Sequence, residues 1–105
     1  MILTTTNTIE GKTISNYLGI VAGTKYTSTY GTKGMSFKDM FSSKKTYEIY
    51  EKSLEAAKED AFQKLKANAM KMNANAIVGI SVDIETVPAS MISMVSVVGT
   101  AVVIE

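Results

Sequence analysis

The sequence predicts an α+β fold: a two-layer sandwich with one long helix on a small, mostly antiparallel sheet. Three observations predict it. The stretch from Thr46 to Met72 has helical periodicity, and the segments before and after it have strand patterns. The chain of 105 residues is also the right size for one domain, able to bury roughly 65% of its unfolded surface.

The helix is the most regular element. Tyr47, Tyr50, Leu54, Ala57, Ala61, Leu65, Ala69 and Met72 recur at steps of three or four, the stripe of a helix with one buried face. Between them stand charged residues, among them Glu48, Glu51, Lys52, Glu55, Lys58, Glu59, Lys64 and Lys66. Glu48–Lys52 and Asp60–Lys64 have the acid four residues ahead of the lysine, the better orientation for a surface pair. Acids gather early and lysines late, as the helix dipole prefers. Asn73 tolerates the left-handed conformation that often ends a helix. A coiled coil is the alternative, but after Ala57 the spacing becomes consecutive fours and too few heptads hold.

Before the helix, Ile2–Thr6 is a short β-prone start, residues 7–11 read as a turn, and Lys12–Ala22 reads as a strand punctuated by Gly19 and Gly23. A glycine within a strand signals a bulge or a close backbone approach. Thr24–Gly34 is a loop or an extension of that strand. Ser36 to Asp39 has the capping-box form and predicts a short helix over Phe37–Phe41, with Ser42–Lys45 breaking or bending it away from the long one. After the helix, Ile80, Val82 and Ile84 alternate with Ser81, Asp83 and Glu85, predicting a half-buried strand over Ala74–Thr86. Val87–Ser90, with the only proline, is the turn into a last strand, Met91–Glu105.

That last strand carries the strongest hint about assembly. Val95, Val97, Ala101 and Val103 point one way and Met94, Val98 and Val102 the other, so both faces are apolar. A sheet with a helix on one side only should not show this. Met94, Val95, Val97, Val98 and Val102 are therefore the expected contacts with a second subunit. Composition agrees: 46% of residues are hydrophobic and only 20% charged, and the long helix takes most of that charge, leaving the strands an awkward free surface.

Several chemistries are excluded or disfavoured. Cysteine and histidine are both absent, which removes disulfides, thiolates and the usual general base and metal ligand. No serine sits in a nucleophile-elbow pattern, and Gly31-Thr32-Lys33-Gly34 lacks the spacing of a phosphate loop. No catalytic residue is assigned. A net charge of +1, with lysines interleaved among acids, argues against nucleic-acid binding. The longest apolar run is interrupted by Ser96, Gly99 and Thr100 and is too short to span a bilayer, and the start does not resemble a signal peptide. A soluble cytoplasmic protein is expected.

Three groups of residues invite a ligand reading. Asp83 and Glu85, two apart on one strand face, could serve a hard cation, though a solvated strand face is the plainer reading. Met70 with Met72 and Met91 with Met94 could serve a soft metal, though methionine is more often core filler. Tyr17, Tyr26, Tyr30, Tyr47 and Tyr50 could line a pocket, though core or interface packing is the plainer role.

The ordered combination of Ile9-Glu10-Gly11, Tyr17-x-Gly19-x-Val21-x-Gly23, Ala74-Asn75-Ala76-Ile77-Val78-Gly79, Glu85-Thr86 and Val95-Ser96-Val97-x-Gly99-Thr100-Ala101-Val102 spans the chain. It resembles the YbjQ-like family, a group labelled heavy-metal-binding and without an established activity. The resemblance implies a dodecin-like subunit assembling as a homopentameric ring, with extra short strands promoting assembly. Thr24 stands where the family commonly has an acid, and Asn73 where it usually has glycine. The expected function is a non-enzymatic homo-oligomer that holds a small ligand or ion between subunits, without a cofactor. The alternatives are a metal-binding protein using carboxylates or methionines, and an enzyme with carboxylate, lysine or serine chemistry.

Overall fold

Residues 1–28, 43–87 and 92–105 are described by a computed structural model, with the side chains of 43–46 outside that description. In chain order the elements are β1 (Ile2–Leu3), β2 (Ile14–Ser28), α1 (Ser43–Lys71), β3 (Ala76–Val87) and β4 (Ile92–Ile104). The strands form one sheet in the order β1-β3-β4-β2. β3 and β2 both run antiparallel to β4, and the two-residue β1 runs parallel to β3. The helix-on-sheet expectation holds.

Element bounds differ from the expected ones in informative ways. β2 continues past Ala22 to Ser28, because its pairing with β4 supplies backbone partners along that length. Thr24–Ser28 is therefore strand. The expected turn over Val87–Ser90 loses Val87, which is the last residue of β3, and its residues 88–90, like the expected short helix over 37–41, lie outside the described residues. α1 begins at Ser43, ahead of the expected Thr46. Its first turn therefore carries Lys44 and Lys45 and no acid, against the preference of the helix dipole. Lys71 in the last turn follows that preference. Asn73 takes φ 65°, the left-handed conformation expected of it.

The helical stripe is buried where it crosses the sheet. Ala57 is 3% exposed, and Ala61, Leu65 and Ala69 are wholly buried, packing with Val21, Ile77, Ile80, Val95, Val97 and Ala101. Gly23 lets this layer close. A Cβ there would collide with the Ala61 carbonyl and come within 2.6 Å of the Leu65 amide, so α1 rests directly on the backbone of β2. The helix lies over β2 and β4 and reaches little of β3. As a result Val82 and Ile84, on the helix side of β3, remain 44% exposed.

Register shifts set which residues face the helix. They fall between Ile14 and Asn16 and between Tyr17 and Gly19 in β2, and between Val78 and Ser81 in β3. At the last, Gly79 has φ 61° and its amide donates to the Thr6 carbonyl at 2.8 Å. A smaller cluster forms on the opposite face from Ala76, Val78 and Val102, covered by Ile9, Ile14 and Ile104. The segment after β1 thus folds under one end of the sheet. Asn75 secures that end: it accepts from the Ile104 amide at 2.7 Å and donates to the Ile104 carbonyl at 3.0 Å.

Candidate functional site

Among the described residues, the sheet face away from α1 is the main surface left without a cover. Cross-strand register places residues there in rows running β3–β4–β2: Ser81, Val98 and Ala22; then Asp83, Ser96 and Thr24; then Glu85, Met94 and Tyr26; then Val87, Ile92 and Ser28. Ile20 and Tyr17 continue the face along β2, beside Thr100 and Val102. Ile20 is 80% exposed, Tyr17 66%, Tyr26 63% and Val98 38%. Exposed apolar side chains gathered on one face, here on both sides of the polar row Asp83, Ser96 and Thr24, mark an interaction surface.

Of the five residues expected at an interface, Met94 and Val98 stand on this open face, with Met94 half-buried. The other three lie elsewhere in the subunit. Val95 and Val97 face α1 and are wholly buried in the main core, and Val102 is wholly buried in the smaller cluster. A side chain with no exposed surface has none to give a partner. The open face instead draws most of its apolar area from Tyr17, Ile20 and Tyr26 on β2, which sequence reading did not single out as a group. The bulge before Gly19 hides them. Strict alternation puts Tyr17 and Ile20 on opposite faces, and the extra residue, Leu18, brings them to the same one.

Asp83 and Glu85 do share a face, the open one, and both are exposed. Among the described residues no three carboxylates converge on one point. Cysteine and histidine, the usual protein ligands of soft and borderline metals, are absent from the sequence. Met70 and Met72 part company, since Met72 packs on the core while Met70 is exposed; Met91, and with it the pair Met91 and Met94, lies outside the described residues. The tyrosines are not core residues of the subunit, since Tyr17, Tyr26 and Tyr47 are all more than 60% exposed. Tyr30 and the segment 31–34 lie outside the described residues.

Tyr50 is the exception. Its hydroxyl lies 2.8 Å from the Oγ of wholly buried Ser93, which in turn lies 3.0 Å from Thr86 Oγ1. This chain of hydroxyls joins α1 to β4 and β3. The hydrogen bonds from Ser93 and then Thr86 lower the Tyr50 pKa from its ordinary 10.0, with burial opposing them. A groove beside β1 is lined by Ile2, Leu3, Thr4, Thr6, Thr8, Ile9 and Glu10, and the hydroxyls of Thr4 and Thr6 are bonded within it. Thr4 and Thr6 Oγ1 are 2.8 Å apart, and Thr6 donates to the Thr8 carbonyl at 2.6 Å. No helix among the described residues is long and apolar enough to cross a membrane.

A solved structure of a protein of unknown function from Pediococcus pentosaceus, assigned to the DUF74 family, shares this fold. It aligns with a TM-score of 0.64 and 22% identity, over 100% of this chain and 98% of that one. The sequence profile of the YbjQ family, whose description reads "Putative heavy-metal-binding", matches residues 1–105, and the chain belongs to that family.

Proposed function

We propose that this protein is a non-enzymatic, cytoplasmic subunit of a homo-oligomeric ring, a dodecin-like homopentamer, in which the open sheet face is covered by a neighbouring copy. The observation that carries this reading is the exposed apolar face of Tyr17, Ile20, Tyr26, Ile92 and Val98. A small ligand or ion would sit between subunits, beside Asp83 and Glu85. Light scattering at micromolar concentration tests the reading directly: a mass several times 11.3 kDa is expected, and a monomer overturns it.

A second reading, cation binding, is favoured by the placement of Asp83 and Glu85 on that same face. One subunit supplies two carboxylates, and a ring would bring several pairs together as oxygen ligands for a hard cation such as Mg²⁺. Calorimetric titration with Mg²⁺, Zn²⁺ and Cu(I) checks it. Heat with Mg²⁺ that disappears in Asp83→Asn/Glu85→Gln is the expected result, and no heat with any of the three removes the reading.

A further inference from the structure

The outer edge of β2 has an unusual cover. β2 is a strand of 15 residues, the longest of the sheet, and among the described strands it stands at the edge, next to β4 alone. Such an edge is a template for adding a strand from another chain, and natural proteins blunt it. Ala22 and Thr24, two apart on the strand, turn their carbonyls to the same side. Asn68 Nδ2 donates to the Ala22 carbonyl at 2.8 Å, and Lys64 Nζ to the Thr24 carbonyl at 3.0 Å. A carbonyl turned toward β4 would be enclosed in the ladder. Being reached by side chains of α1 places these two on the outer side.

The cover follows from the close approach at Gly23. With Ala61 and Leu65 seated on the β2 backbone, the residues three further along, Lys64 and Asn68, hang over the rim. Asp60, from the same stretch of helix, lies 3.8 Å from Lys25. The Asp60–Lys64 pair expected from spacing is thus divided between two partners on β2. At the other side of the sheet the start of the β3 edge is filled as well. The Thr4 amide donates to the Ile77 carbonyl at 3.0 Å, and the Ile80 amide to the Thr4 carbonyl at 3.1 Å.

We propose that Asn68 and Lys64 close the outer edge of β2 at Ala22 and Thr24 against strand addition by a second copy of this chain, so that copies join through the open sheet face and not at this stretch of edge. The clause about joining through the face rests on the oligomer reading above; the closure of the edge stands independently of it. Both residues are exposed on a helix, so their removal leaves the core intact.

The test compares wild type, Lys64→Ala/Asn68→Ala and a control, Gln63→Ala/Lys66→Ala, which also removes one amide and one lysine from α1. Light scattering, thioflavin T fluorescence and far-UV circular dichroism are read on each. Wild type and control should hold one defined mass. The Lys64→Ala/Asn68→Ala variant should keep its helical signal while its thioflavin-positive, growing species rises by about tenfold or more, the scale set by two lost hydrogen bonds. No rise, or an equal rise in the control, overturns the proposal. If the double variant loses its helical signal, Lys64→Ala and Asn68→Ala singly carry the test, and a folded single variant showing no rise overturns it. A monomeric wild type beside an aggregating double variant would sink the oligomer reading and leave the closed edge standing.

Discussion

Val97 and Val98 are neighbours on β4 with the same side chain, and they end in opposite surroundings. Val97 is wholly buried against α1, while Val98 is 38% exposed on the open face. The same split runs along the strand: Ser93, Val95 and Ala101 are wholly buried on the helix side, and Ile92 is 40% exposed on the other. Hydrophobicity alone does not decide burial here; what decides it is whether this chain has something to lay on that face. One helix covers one face, and only its β2 and β4 portion. Among the described residues, nothing is laid on the remaining apolar area.

The difference between the two faces can be broken hardest from the helix side. Leu65→Ala removes a wholly buried side chain at the centre of the layer between α1 and the sheet. It should cost about 2–5 kcal/mol of subunit stability, measured by denaturant unfolding. A cost well under that would mean the helix is held by something other than this layer.

Ser93→Ala probes the polar end of the same layer. Ser93 is the buried link between Tyr50 and Thr86, and its loss should cost about 1 kcal/mol. The partly exposed partners can turn to water, which keeps the figure low. A cost near zero would show that the hydroxyl chain does not hold the helix to the hairpin.

Ile20→Lys acts on the open face and should sharpen the contrast. Ile20 is 80% exposed, so subunit stability should shift by no more than about 0.5 kcal/mol. Self-association should fall by about tenfold or more, because an unpaired ammonium would be trapped in the contact. Sedimentation checks the second effect and thermal unfolding at low concentration the first. An unchanged mass would remove Ile20 from the contact.

The sequence showed one face more clearly than the other. The helical stripe from Leu54 to Met72 reads directly, because its spacing is regular and each member meets the sheet. β4 reads directly too, as a strand with two apolar faces. What did not read was the division of labour. Which face of β4 meets α1 depends on Gly23, where the helix backbone touches β2, and no periodicity shows that contact. The open-face residues of β2 stayed hidden because the bulge at Leu18 changes the parity of the strand after Tyr17. Tyr47 belongs to the stripe by spacing and is 66% exposed. Lys64 and Asn68 look like ordinary solvated residues until the edge they cap is in view.

Tyr50 gives the smallest effect and the finest test of the helix side. Hydrogen bonds from Ser93 and Thr86 hold its pKa below the ordinary 10.0, so the folded state favours the phenolate more than the unfolded chain does. A depressed pKa contributes stability that is fully present above the unfolded value and is lost as pH falls through the folded one. The stability of wild type relative to Tyr50→Phe should therefore increase as pH rises from the lowered value toward 10.0. It should then level off. Absorbance titration near the tyrosinate band should show one group in the wild type ionising ahead of the rest, and that group should be missing in Tyr50→Phe. If the stability difference stays flat across that window, the hydroxyls of Ser93 and Thr86 are not donating to Tyr50, and the tyrosine is instead the donor to Ser93.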